Sequence, residues 1–169
     1  MIKGGNKGFT IVETLIVLAI AATIIVVVLL AVPALQRQSR NTATKVGAGA
    51  VASGWTAEVG NSNDAAPTTV TGGTGKITIN TASYNVSSAI VTKVSTYNSV
   101  GTTVAYGPTS VGATGSAGDK ISVSTIALYT GATCPATTTG TSLQLGAGTT
   151  TQAAIVYSIE PGNVGCLQG

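Results

Sequence analysis

The stretch KGFTIVETLIVLAIAATIIVVVLLAVPAL, Lys7 to Leu35, decides how this chain is read. From Leu15 to Leu35 every residue is apolar except Thr23, and Pro33 stands near the end. Such a run exceeds the ~20 residues at which a membrane-spanning helix becomes the default. It is too long for a secretory h-region, and no A-x-A site follows it at Gln36 to Asn41. The segment is therefore expected to stay with the protein and to place it in a membrane at some stage. One carboxylate, Glu13, interrupts the front of this oily run. A charge there is costly in lipid unless something pairs with it. Thr10-Ile-Val-Glu13 also has the spacing of a capping box, and a carboxylate in a first helical turn suits the macrodipole.

Working outward, the pattern predicts that the helix continues past the apolar run. Gln36 to Val59 is free of proline and mostly polar, with Val51, Trp55 and Val59 four apart on one face. Gly60-Asn61 supplies a stop signal. Gly47, Gly49 and Gly54 each cost roughly 1 kcal/mol relative to Ala inside a helix. A helix from Phe9 to Val59 would be on the order of 75 Å long at ~1.5 Å per residue, so its second half has to pack against a domain.

Residues 60–169 supply that domain. Asn61 to Gly75 reads as a loop rich in Gly, Thr and Asn. Short runs then recur: KITI (Lys76 to Ile79), TTVAY (Thr102 to Tyr106), KISVSTIALY (Lys120 to Tyr129) and AAIVYSI (Ala153 to Ile159). The third alternates with period two and predicts one strand. Ser88 to Tyr97 fits a helix by spacing and a strand by its β-branched content. The economical packing is an antiparallel sheet with one face on the helix, above Trp55 and Val59, giving an α+β fold.

Composition narrows function by exclusion. The 169 residues are 44% hydrophobic but only 8% charged, with no histidine and 5 acidic residues. That inventory is poor for acid–base catalysis, so no enzyme and no cofactor is expected. The net charge is only +3, and no Lys/Arg cluster with interleaved aromatics predicts a specific nucleic-acid partner. Cys134 and Cys166 match no zinc spacing, and a disulfide outside the cytoplasm is the preferred reading over two free buried thiols. Lys3 and Lys7 before the span are balanced by Arg37, Arg40 and Lys45 after it, so orientation with the C-terminus outside rests on the cysteines.

The junction Lys7 to Glu13, KGFTIVE, followed by the apolar run, resembles the N-terminus of a bacterial type IV pilin precursor. The family pattern is a short basic leader, then Gly, usually Phe, then Glu at the fifth mature position. Here these are Lys3 and Lys7, Gly8, Phe9 and Glu13. The resemblance covers about the first third of the chain in sequence, and beyond that only the architecture. It implies a leader of residues 1–8, cut between Gly8 and Phe9 on the cytoplasmic side by a prepilin peptidase, with N-methylation of Phe9. It implies a long helix in two halves, 9–35 and 36–59, and a disulfide-bearing C-terminal domain. Loss of Lys3 and Lys7 would lower the side-chain balance from +3 to +1.

In that family the glutamate is thought to neutralise the N-terminal amine of a neighbouring subunit, which would give Glu13 a role in setting assembly register. The partners implied are copies of the chain itself in a helical homopolymer, the pilus assembly machinery, and the inner membrane before assembly. The assembled filament would serve motility, adhesion or DNA uptake. A pseudopilin of a type II secretion or competence system shares the signature. A non-polymerising anchored adhesin, using Trp55, Tyr97 and Tyr106, is the rival from another class.

Two departures stand out. Thr14 follows Glu13 where relatives usually carry Leu, and Pro33 lies a few residues later than the helix-breaking Pro common in these pilins. Pro33 is expected to bend or open the helix, either as a tolerated kink or as part of a segment, Ala31 to Leu35, that loses helix in the filament.

Lesser signals remain. Asn85-Val86-Ser87 fits a glycosylation sequon, and TGGTGK (Thr71 to Lys76) lacks the P-loop pattern and reads as a flexible connection. Arg37, Arg40 and Lys45 suit lipid headgroups or acids of neighbouring copies such as Glu58.

Overall fold

A computed structural model describes residues 8–97, 101–112, 115–116 and 118–169. One helix, α1 (Ile11–Asn61), passes through both of the chain's two compact units, which divide between Arg37 and Gln38. The first unit contains the apolar part of α1. The second contains the rest of the helix and all the strands.

The strands of the second unit begin with β1 (Val70–Gly72), β2 (Lys76–Ile79), β3 (Ala82–Asn85) and β4 (Val91–Thr96). They continue with β5 (Thr102–Tyr106), β6 (Asp119–Ile121), β7 (Thr125–Thr130) and β8 (Ala132–Thr133). The last are β9 (Thr139–Gly140), β10 (Ser142–Ala147), β11 (Ala153–Ile159) and β12 (Asn163–Gln168). Among the described residues they form three sheets, ordered β1-β2-β3, β6-β5-β10-β8 and β4-β7-β11-β12-β9. The expected α+β architecture of a long helix packed on sheets is present. Most pairs are antiparallel, while β4 with β7 and β5 with β6 run parallel. The ambiguous stretch at Ser88 to Tyr97 is thus a strand over Val91–Thr96.

The central five-stranded sheet is buried on both faces. Along β7 and β11, Ile126, Leu128, Ala153, Ile155 and Tyr157 join Ala48, Val51 and Trp55 of the helix in one core cluster. The alternate residues Ala127, Tyr129, Ala154 and Val156 join Val104, Leu143, Leu145, Val164 and Cys166 in a second. The second cluster lies against the four-stranded sheet, so the expectation of a single helix-facing sheet is too simple. A strand covered on both faces needs no polar alternation, and AAIVYSI is correspondingly almost continuously apolar.

Two local expectations are corrected. KISVSTIALY is not one strand, because β6 ends at Ile121 and β7 starts at Thr125 in a different sheet. Ser124 adopts φ 55°, a left-handed conformation that ends the extended run, and period-two spacing cannot reveal such a phase break. The helix also stops differently. Asn63, at φ 54°, supplies the left-handed residue, and the Asp64 N–H donates back to the Val59 carbonyl at 3.0 Å. That six-to-one bond is a Schellman closure built on Asn63 rather than Gly60.

The helix glycines divide by role. A Cβ on Gly47 would meet Ile126 Cδ1 at 3.1 Å, and one on Gly54 would fall 2.7 Å from the Tyr84 ring. These two positions let the strands and Tyr84 come close to the helix axis. Gly49 meets nothing within 4 Å.

Candidate functional site

Every described residue from Gly8 to Arg40 is exposed. The large apolar side chains of this stretch range from 40% exposed at Val32 to 79% at Phe9 and Ile11. The helix is long and apolar enough to cross a membrane. Covering one Leu, Ile or Val side chain contributes roughly 1.5–3 kcal/mol. Summed over this run, the gain exceeds the ~5–15 kcal/mol that holds a typical domain together. In water this half of the helix would forgo that gain.

The polar groups of the run are handled locally. The Thr10 hydroxyl accepts the Glu13 N–H at 3.3 Å, and the Thr10 carbonyl accepts the N–H groups of Glu13 and Thr14 at 3.1 and 3.3 Å. Helical residues begin at Ile11, two later than Phe9. Thr14 and Thr23 each return a hydroxyl hydrogen bond of 2.8 Å to their own helix, at the Ile11 and Ile20 carbonyls. Neither threonine presents an unmet donor to an apolar neighbour. The Glu13 carboxylate is different. Among the described residues it has no ion pair and accepts no hydrogen bond. Helical residues continue on both sides of Pro33. Gly8 and Phe9 are both exposed. Lys3 and Lys7 lie outside the described residues.

The second unit treats its charges in the opposite way. Glu58, buried on α1, accepts the Tyr84 hydroxyl at 2.9 Å and the Asn80 amide at 3.3 Å. Burial, reinforced by that carboxylate, pushes the Tyr84 phenol up. Glu58 is thus internal to its own chain and is not left for a neighbour's cations. Asp119 is buried too, with its two oxygens accepting the Ser116 hydroxyl and the Tyr129 hydroxyl, each at 2.9 Å. Burial foremost, then the Asp119 charge and bond, pushes the Tyr129 phenol far up. Both carboxylates thus hold donors from their own chain.

The Arg40 guanidinium grips Glu160 with two hydrogen bonds, Nε to Oε1 at 2.6 Å and Nη2 to Oε2 at 2.9 Å. Glu160 in turn raises the Arg40 pKa through that bond. Next to it, the Asn41 amide donates to the Glu160 carbonyl at 2.8 Å and accepts the Glu160 N–H at 2.7 Å. Sequence reasoning left Arg40 for lipid or for another copy. A pair separated by 120 residues carries no local signal.

The remaining sequence candidates are placed as follows. Cys134 and Cys166 form the expected disulfide, with Cα atoms 5.8 Å apart. Trp55 is 1% exposed, and its indole N–H donates to the Thr151 carbonyl at 2.7 Å. It is core. Tyr97 and Tyr106 are partly buried against the second cluster. Asn85 is exposed at the end of β3.

TGGTGK is a tied turn rather than a loose connection. The Thr92 hydroxyl accepts the Gly73 N–H at 2.8 Å and lies 2.7 Å from the Lys76 carbonyl. A Cβ on Gly72 would collide with the Thr92 carbonyl oxygen, so this glycine is required by close backbone approach.

No protein-family model matches the chain, and no curated protein or solved structure is similar to it at a significant level.

Proposed function

We propose that this chain is a membrane-inserted structural subunit that assembles with copies of itself through the apolar part of α1. Within that class we read it as a type IV pilin, the major subunit of a surface filament. The observation that carries the reading is the complete exposure of an apolar helical run that ends in a folded, disulfide-bonded domain. A helix apolar all round needs apolar cover all round, and either lipid or packed copies of the same helix supply it.

On this reading the leader is cut between Gly8 and Phe9, and the mature helix exchanges lipid for other helices. The lone carboxylate supports the reading further. Glu13 has no partner within the described chain, and an opposite charge in apolar surroundings is the pairing that relieves it. The new amine of Phe9 on a neighbouring copy is such a charge. The pair specifies alignment, because an ion pair buried in apolar surroundings need not outperform an apolar substitute.

Expressing the chain with a prepilin peptidase and sequencing the N-terminus of the product tests the processing step. A start at methylated Phe9 is expected, while retention of residues 1–8 leaves a simple anchored protein. Electron microscopy of sheared surface material tests assembly, with thin filaments expected for the wild type. Glu13→Ala should leave subunits held in the membrane with few filaments. Normal filament yield from that variant would remove the alignment role.

A further inference from the structure

We infer that the turn after β11 is a latch that stops unwinding of α1 at Arg40 and Asn41. The four hydrogen bonds between these two residues and Glu160 tie consecutive helix positions to one residue of the sheet domain. They include both ends of the Asn41 amide and both main-chain groups of Glu160, so the turn is held in position and orientation. Only the Arg40 side chain is substantially open to water, at 42% exposure against 11% for Glu160.

Their place along α1 gives the latch its meaning. No residue from Gly8 to Arg40 is buried, and the first buried helix residue is Thr44. Upstream, Pro33 lacks an N–H and so leaves the Leu29 carbonyl without its helical donor. Downstream stand Thr42, Thr44, Gly47 and Gly49, all poor helix formers. Helix loss is cooperative, so an opening at Pro33 spreads until a tertiary contact holds the chain. The first such contact it meets is Arg40–Asn41. Without it, the weak formers that follow would carry the opening on toward Ala48 and Val51 in the core. This inference concerns the helix and its domain, and it stands whether or not the chain polymerises.

Amide hydrogen exchange on the full chain in detergent micelles, followed by mass spectrometry, locates the stop. In the wild type, the fast-exchanging stretch that follows the micelle-covered run should end within one turn of Asn41. In Asn41→Ala and in Arg40→Ala the boundary should move toward Gly47. Amides between the old and new boundaries should exchange about tenfold faster or more, while amides of β7 and β11 keep their protection. If Asn41→Ala also loses the β7 and β11 protection, the exposed Arg40→Ala decides alone. An unchanged boundary in the variants, or a wild-type boundary already at Gly47–Ala48, would overturn the latch and assign the stop to core burial.

Discussion

The two parts of α1 invert the usual relation between hydrophobicity and burial. Leu15 to Leu35 is the most apolar stretch of the chain, yet all of it is exposed. Residues 44–58 hold seven glycines and alanines and five polar residues, yet here Thr44, Gly47, Ala48, Val51, Gly54, Trp55 and Glu58 are buried. The difference teaches that burial within one chain follows shape and pattern, whereas unpatterned oiliness is matched to something outside the chain. An amphipathic face needs a single partner surface, and α1 finds that surface in β2, β7 and β11. A helix without a polar side needs cover in every direction.

The sharpest way to break this contrast is a pair of substitutions, one in each part. Trp55→Ala should destabilise the domain by about 3–5 kcal/mol, because it empties a packed site and orphans the Thr151 carbonyl. Val27→Asp should leave domain stability within ~0.5 kcal/mol of wild type, since Val27 is 64% exposed and touches no core. It should nevertheless prevent stable membrane retention, a central charge costing ~2.5–3.5 kcal/mol on insertion scales. Denaturant unfolding of the domain and membrane fractionation read the two outcomes. A large stability loss from Val27→Asp would erase the distinction between the parts.

A second comparison sets the buried phenol of Tyr129 against exposed chemistry. Its folded pKa is raised above the ordinary value of about 10, so the neutral phenol is favoured in the fold. Its contribution is complete below pH 10 and is lost as pH rises from there toward the folded pKa. Stability should fall by about 1.4 kcal/mol per pH unit in the alkaline range above pH 10. Tyr129→Phe should flatten that slope and, by taking one donor from the buried Asp119, lower stability near neutrality. A wild-type profile equally steep in Tyr129→Phe would point to other phenols.

The finest contrast lies between two glycines on the helix. Gly54→Ala should cost roughly 1–3 kcal/mol, since its Cβ would meet the Tyr84 ring, itself anchored on Glu58. Gly49→Ala should stabilise by up to ~1 kcal/mol, because the new methyl meets nothing and glycine is the weaker helix former. Thermal unfolding of the two variants gives opposite signs if the close approach at Gly54 is real.

Much of this was legible in the residues. The long helix, its inward face of Val51, Trp55 and the partly buried Val59, the strands KITI, TTVAY and AAIVYSI, and the pairing of Cys134 with Cys166 all follow local rules of spacing and chemistry. What escaped was non-local. Ser124 breaks a strand because the chain changes sheets, and no alternation pattern records that. The partners of Arg40 and Glu58 were invisible because each is fixed by the packing of separate elements. Gly54 looked like a cost and Gly72 like part of a flexible connection, and only the ring and backbone they approach explain them. Of the candidate site, the oily run and its solitary carboxylate were plain in the sequence, while the clamp on Glu160 was not.

The hydroxyls of Thr14 and Thr23 are turned back onto their own carbonyls. Because of this, whatever lies along the rod meets only methyl and methylene groups there, and dispersion contact has no preferred direction. Past Glu13, girth and length alone then govern what fits against it. A foreign rod of equal calibre that met the charge at Glu13 would be admitted as readily as a sibling.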